Sequence, residues 1–304
     1  VEKYTNSIKV IQDAETGRLN VSGVNLRSLT EFPQRLSPGH SACPGCGIFP
    51  NINLMLKGML GNIVVVFQTG CAMVTTTGYP YTSHNVTYVH NLFQAGASTS
   101  AGLLEAFKEL KRRGELPEDR QITFLMYTGD GGADIGMGNM IGTALRGHGF
   151  IMLEYDNQGY MNTGHQLSFS TPLGHMTMTS HLGKAQRGKE FHHKDTPQIM
   201  AGCHLPYVFT ATESKPMDFI KKAAKAQWYA NNVGAVYGKT MSACPLSWKS
   251  EDRDGAAISQ AMTDCCFFPL YEIERGRTTI TYDPEVSKKR VSATEWLKYM
   301  GKTK

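Results

Sequence analysis

Two apolar runs constrain this chain most. Gln121–Tyr127 leads straight into Thr-Gly-Asp-Gly-Gly at 128–132, and Phe150–Tyr155 opens into Asp-Asn-Gln-Gly-Tyr-Met-Asn-Thr-Gly at 156–164. Short apolar runs without polar alternation read as strands buried on both faces, which is how parallel sheets are built. Asp134–Arg146 between them is helical in character, so the segment is a β-α-β unit. One such crossover brings the two loops together at the carboxyl edge of the sheet, where open α/β folds bind ligands.

The remaining pattern continues this alternation. Helical spacing recurs over 47–60, Asn62–Phe67 is a β-branched strand, and Asn91–Arg113 is a long helix. Tyr207–Thr210 and Ala235–Thr240 are further strands, separated by a helix at Pro216–Tyr229 whose proline suits a first helical turn. Another helix lies within Gly255–Cys265. The expected fold class is α/β, a doubly wound, mostly parallel sheet flanked by helices. Residues 1–38 read as a polar extension that contacts a partner, 39–270 as the α/β domain, and 271–304 as a polar, basic tail. Residues 165–195 lack periodicity and are too long for an idle connector, so they read as a functional or partner-facing loop. His165, His175, His181, His192 and His193 crowd it with irregular spacing, which favours a surface loop over a metal site.

Of the 304 residues, 41% are hydrophobic and 19% charged, with 31 Gly and 15 Met. That is enough for a substantial core, and the low charge suits a subunit that buries surface against partners. The net charge of +5 is modest, and the basic groups at Lys111–Arg113, Lys221–Lys225 and Lys288–Arg290 read as solvated helix faces. None forms a nucleic-acid stripe. No apolar run is long enough to span a membrane. The seven cysteines, with no signal-peptide pattern at Val1-Glu2-Lys3-Tyr4, point to metal-bound or free thiols in a reducing, cytoplasmic setting.

Four of those cysteines stand in turn-forming contexts: Cys43 and Cys46 in Cys-Pro-Gly-Cys-Gly, Cys71 in Thr-Gly-Cys-Ala, and Cys244 in Ala-Cys-Pro-Leu. A Cys-x-x-Cys lets two sulfurs grip one centre, and either an iron–sulfur cluster or a structural zinc fits. At the two loops, Asn157 lies 27 positions after Asp130. Asp130, Asn157 and the Gly159 carbonyl would give a hard cation such as Mg²⁺ three oxygens, with diphosphate oxygens and a water completing the octahedron.

Gly-Asp-Gly followed at this distance by Asn resembles the thiamine diphosphate motif. With the four cysteines, Gly-His-Ser-Ala-Cys-Pro-Gly-Cys-Gly, Tyr-Met-Asn-Thr-Gly, Ser-Thr-Pro-Leu-Gly, Cys-Pro-Leu-Ser-Trp and Pro-Leu-Tyr-Glu-Ile-Glu, the chain resembles the β subunit of the 2-oxoacid:ferredoxin oxidoreductases over about residues 37–275. Pyruvate enzymes are most similar, and oxalate oxidoreductase belongs to the same group.

The resemblance implies a [4Fe–4S] cluster on Cys43, Cys46, Cys71 and Cys244, and thiamine diphosphate with Mg²⁺. It gives a cofactor-facing set of Gly129, Asp130, Gly131, Gly132, Asn157, Asn162, Thr163, Cys71 and His40. Asn162 would lie over the thiazolium and touch the substrate; for His40, packing or capping is the alternative. Oxidative decarboxylation would send electrons to the cluster and on to ferredoxin, with coenzyme A as acyl acceptor in a pyruvate-type enzyme. The activating glutamate is expected on a pyrimidine-domain α subunit, with γ/δ-type subunits completing the complex. Two departures bear on this. The loop after Gly-Asp-Gly is a residue shorter than in the pyruvate enzymes, and position 156 is Asp where other thiamine enzymes often carry Asn. A non-redox thiamine enzyme half and a zinc-stabilised non-catalytic subunit are the alternatives.

Overall fold

The computed structural model describes residues 8–25, 28–32, 34–78, 80–180, 185 and 188–300. The chain begins with a two-stranded antiparallel hairpin, β1 (Lys9–Gln12) and β2 (Leu19–Ser22). The α/β body follows as α1 (Ile48–Gly58), β3 (Asn62–Gln68), α2 (Cys71–Val74), β4 (Thr87–Asn91), α3 (Gly96–Arg112), β5 (Ile122–Gly129), α4 (Asp130–Leu145) and β6 (Ile151–Asp156). After the long loop come α5 (Thr196–Ala201), β7 (Tyr207–Ala211), α6 (Pro216–Asn232), β8 (Val236–Met241), α7 (Pro245–Trp248), α8 (Gly255–Asp264), β9 (Leu270–Glu274) and β10 (Arg277–Tyr282).

Eight strands form one sheet in the order β10-β9-β7-β8-β6-β5-β3-β4. The six from β7 to β4 are parallel; β9 and β10 add antiparallel at one edge. Alternate residues of one strand serve opposite cores. Leu125 and Tyr127 of β5 join Ile52, Met55, Phe219 and Ala223 of α1 and α6 on one face. Phe124 and Met126 join Ala101 and Leu104 of α3 and Met140 of α4 on the other. A doubly covered, mostly parallel sheet is the fold class expected from the sequence.

Four details differ from the sequence reading. Helix α3 starts at Gly96 rather than Asn91, because residues 87–91 complete the edge strand β4. Helix α4 starts at Asp130 itself, with Gly129 extended before it (φ −81°, ψ 167°), so the glycine motif is the first helical turn and no separate loop. The boundary set at residue 270 falls on a strand: β9 pairs with β7, so the sheet continues past it. The described part of the N-terminal extension packs on its own chain, where Ile8 and Phe32 meet Ile220 and Ala224 of α6.

Two lysines expected on a solvated face are also buried. Lys225 pairs with Glu272 and Glu274 at 2.7 and 3.2 Å, and Lys222 pairs with Asp218 at 2.6 Å. Buried ammonium groups persist only with such partners. No helix among the described residues is long and apolar enough to cross a membrane.

Candidate functional site

The sheet order explains the site. Strands β8, β6, β5 and β3 are consecutive neighbours, and their carboxyl ends release Cys244, Asn157, Asp130 and Cys71 respectively. Residues up to 173 positions apart in the chain therefore meet on one edge. A cavity of about 160 Å³ there is lined by Cys71, Gly129, Asp130, Gly131, Gly132, Asn157, Gly159, Asn162 and Thr163, together with Thr69, Phe93, Tyr155 and Tyr160.

Glycine is required at the helix start for space. A Cβ on Gly131 would sit 2.4 Å from the Tyr160 ring, and one on Gly132 would sit 2.5 Å from Thr128 Oγ1. The bare first turn leaves amide N–H groups and the positive end of a helix dipole facing the cavity, an arrangement that receives phosphate oxygens.

Asp130 is almost fully buried. Burial and the neighbouring Asp156 push its carboxyl well above the usual range, against the opposing pull of Lys194 and of a hydrogen bond from Ser168. One end of the Asn157 amide lies 3.0 Å from both Asp130 Oδ1 and the Gly159 carbonyl oxygen. With nitrogen at that end, the amide donates to both. With oxygen there, it stands from each of the other two oxygens at the edge length, about 3.0 Å, of an octahedron whose metal–oxygen bonds are about 2.1 Å. The donor set therefore fits Mg²⁺, and the cation would supply the positive charge that a buried carboxylate lacks.

On the other side, Cys71 opens α2 and Cys244 precedes α7. The Cys43–Cys46 turn is closed by the Cys46 N–H donating to the Cys43 carbonyl at 3.1 Å. Gly45 within it has φ +74°, and a Cβ there would lie 2.0 Å from the Asp252 carbonyl oxygen, so only glycine fits. The Gly47 N–H then donates to the Ala243 carbonyl at 3.0 Å, which brings this turn beside Cys244. Burial first, then the other thiols, push Cys46 and Cys71 up to about 12. Cys71 is influenced by Cys244, Cys46 and Cys43 alike, so the four sulfurs share one neighbourhood. Among the described residues, no three His, Cys, Asp or Glu side chains close on a point that could hold a single metal ion.

One expected position falls elsewhere. His40 does not line the diphosphate cavity; it stacks on Phe49 with ring centroids 4.1 Å apart, in a separate cavity with Cys43 and Cys46. Thr163 is exposed at the mouth, where its hydroxyl donates to Gln166 Oε1. The histidine-rich loop is no plain surface loop. His165 is buried, with its ring 5.4 Å from that of His175, while His181 lies outside the described residues.

The same loop supplies residues that sequence reasoning missed. The Ser168 hydroxyl donates to Asp130 Oδ2, and Lys194 Nζ donates to the Asp130 carbonyl at 2.8 Å and pairs with Asp134 at 2.5 Å. Nothing local marks either residue. Lys239 was detectable, since a lysine inside Val-Tyr-Gly-Lys-Thr-Met must find a buried partner.

Comparison with known proteins agrees with this geometry. Residues 68–236 match the family model "Thiamine pyrophosphate enzyme, C-terminal TPP binding domain", so the chain is a thiamine diphosphate-binding protein. The chain is 39% identical to pyruvate synthase subunit PorB of Thermotoga maritima over 92% of its length and 87% of that subunit. It is 38% identical to PorB of Methanocaldococcus jannaschii over 88% and 89%, and 32% identical to ketoisovalerate oxidoreductase subunit VorB of Pyrococcus horikoshii over 92% and 89%. It belongs to the 2-oxoacid:ferredoxin oxidoreductases, as their thiamine diphosphate-binding β subunit. The solved 2-oxoglutarate:ferredoxin oxidoreductase of Magnetococcus marinus shares the fold, with a TM-score of 0.55 and 17% identity over 74% of this chain and 79% of that one.

Proposed function

We propose that this chain is the cofactor-binding half of a pyruvate-type enzyme that oxidatively decarboxylates a 2-oxoacid and passes electrons through a [4Fe–4S] cluster to ferredoxin. The observation that carries this reading is the adjacency of β8, β6, β5 and β3, which sets Cys71 and Cys244 beside Asp130 and Asn157. A thiolate cluster next to a diphosphate site is useful only where electrons leave a cofactor-bound substrate.

Asp130, Asn157 and Gly159 would hold Mg²⁺, and the N–H groups at the start of α4 would receive the diphosphate. Asn162, on the cavity lining, would hydrogen-bond the substrate. Thiamine diphosphate supplies, when bound, a nucleophilic carbon and an electron sink for decarboxylation. Cys43, Cys46, Cys71 and Cys244 would bind the cluster, one thiolate to each iron. Four sulfurs that share a neighbourhood without closing on a single-ion point suit that arrangement better than zinc. No glutamate lines the diphosphate cavity among the described residues. This supports a pyrimidine-domain partner subunit as the source of the activating carboxylate, with further subunits of the same complex and coenzyme A as acyl acceptor.

The decisive experiment is anaerobic purification of the complex with iron, sulfide and zinc analysis. We expect about four irons and four labile sulfides per chain, and a dithionite-reduced EPR signal that Cys244→Ser removes. Stoichiometric zinc without sulfide would overturn the redox reading. Asp130→Ala should abolish Mg²⁺-dependent thiamine diphosphate binding while keeping the cluster chromophore.

A further inference from the structure

Lys239 stands in the middle of β8 and is 5% exposed. It opposes Glu154 across the parallel pairing of β6 and β8, and its ammonium lies 3.4 Å from Glu154 Oε1. Its shorter contact is with the residue at the end of β6: Nζ is 2.7 Å from Asp156 Oδ2. Asp156 uses its other oxygen, Oδ1, to accept the Gln158 backbone N–H at 2.9 Å.

That second bond closes a tight turn. Gln158 has φ +69°, a left-handed conformation that a residue with a side chain adopts only when its surroundings impose it. The residues on either side of it are Asn157 and Gly159, the candidate metal ligands beside Asp130. A second route runs from the same ammonium to the other half of the site. Lys239 donates to Ser170 Oγ at 3.4 Å, the Ser170 N–H donates to Ser168 Oγ at 3.1 Å, and Ser168 donates to Asp130 Oδ2. Asp130 is thereby turned with Oδ1 toward Asn157.

We propose that Lys239 is a positioning residue for the metal site. Through Asp156 it holds the 156–159 turn so that the Asn157 amide oxygen stands from Asp130 Oδ1 and from the Gly159 carbonyl oxygen at the spacing a small divalent cation demands. This inference rests on the metal–diphosphate reading above. An Asp156 carboxylate without its ammonium would stand buried beside Glu154 and Asp130, and like charges would drive it away from the Gln158 N–H. The turn would then relax and the oxygens would spread.

Spread oxygens disfavour Mg²⁺, which requires near-ideal octahedral bonds, more than the larger and geometrically tolerant Ca²⁺. The test is therefore ion preference in the assembled complex. Apparent Mg²⁺ and Ca²⁺ affinities would be titrated at saturating thiamine diphosphate for wild type, Lys239→Met and Asp156→Asn, with thermal unfolding as the control for folding. We expect Lys239→Met to weaken Mg²⁺ binding about tenfold or more and to lower the Mg²⁺-to-Ca²⁺ preference. Asp156→Asn keeps an acceptor for the Gln158 N–H but weakens the pairing, so it should shift the preference in the same direction by less.

A merely structural lysine would lower the unfolding temperature without moving that ratio. An unchanged ratio in folded Lys239→Met overturns the inference. If Lys239→Met does not fold, Asp156→Asn decides, and its unchanged ratio overturns the inference equally. Failure of the wild-type complex to bind thiamine diphosphate with Mg²⁺ would instead overturn the site assignment beneath it.

Discussion

Trp248 Nε1 donates to the backbone carbonyl oxygen of Asn157 at 3.2 Å, and this bond joins the cysteine side of the site to the metal side. Trp248 ends the short helix that Cys244 precedes, and its own N–H donates to the Cys244 carbonyl at 2.9 Å. The indole is 1% exposed, so neither end of the link is exchanged for water. Two hydrogen bonds thus connect the Cys244 backbone to the turn that carries Asn157 and Gly159.

Trp248→Phe keeps most of the ring but strands the Asn157 carbonyl. We expect a loss of about 1–3 kcal/mol, read as a lower unfolding midpoint, together with weaker thiamine diphosphate binding by calorimetry. Unchanged affinity would show that the two halves of the site are independent.

Gly132→Ala would drive a methyl to 2.5 Å from Thr128 Oγ1 and 2.9 Å from Gln68 Oε1, two side chains already hydrogen-bonded to each other. Overpacking of this kind costs about 1–3 kcal/mol, and the shifted helix start should lose diphosphate affinity. Gly138→Ala is the control in the same helix. Among the described residues nothing lies within 4 Å of its Cβ position, and it should stabilise by about 0.5–1 kcal/mol.

His84 gives the stability a dependence on pH. It is 5% exposed, packed against Phe67 and Tyr88, with no hydrogen-bond partner for either ring nitrogen among the described residues. Burial lowers its pKa from 6.5 to about 4. The unfolded chain therefore binds a proton between those values that the folded chain refuses. The stabilisation is complete above about 6.5 and is lost as pH falls toward about 4, by a total on the order of 3 kcal/mol. Urea unfolding at pH 7 and pH 5 should show the loss, and His84→Phe should remove this component while matching wild type at pH 7.

Lys225→Met would leave Glu272 and Glu274 with the more distant Arg18, at 3.8 and 3.4 Å, as the cation they share; Glu274 is fully buried. Breaking a buried pair in this way costs about 3–5 kcal/mol. The N-terminal hairpin should loosen as well, since the Leu19 N–H donates to Glu274 Oε1 at 2.7 Å. Limited proteolysis near residues 13–18, compared with wild type, would detect it.

The strands that build the core were legible because they are buried on both faces and carry unbroken apolar runs, as in Asn62–Phe67. Strand β4, Thr87–Asn91, was not, since as a partly exposed edge strand it carries Thr, His and Asn. Helix α5 is only six residues long, too short for periodicity, although Asp195 capping the Gln198 N–H ahead of Pro197 was a readable start signal. Lys222 and Lys225 were read as solvated because a charged residue's burial depends on what packs above it. Here that is β9, whose Glu272 and Glu274 meet Lys225, and β10, whose Thr281 hydroxyl accepts from Lys222.

What the sequence determined by itself is the chemistry at each strand end: a carboxylate in a glycine-rich helix start, an amide two residues past Tyr155, and thiols in turns that only small residues permit. Each is encoded within a few positions, by apolar runs that set the strands and by glycines that set the backbone. The tertiary structure alone decided which ends meet. Strand order placed β8 against β6, so that Trp248 and Lys239 reach the Asn157 turn, and the tertiary packing brought Ser168 and Lys194 to Asp130. Those meetings depend on non-local pairing and on the partners buried charges require, and no local pattern of residues carries that information.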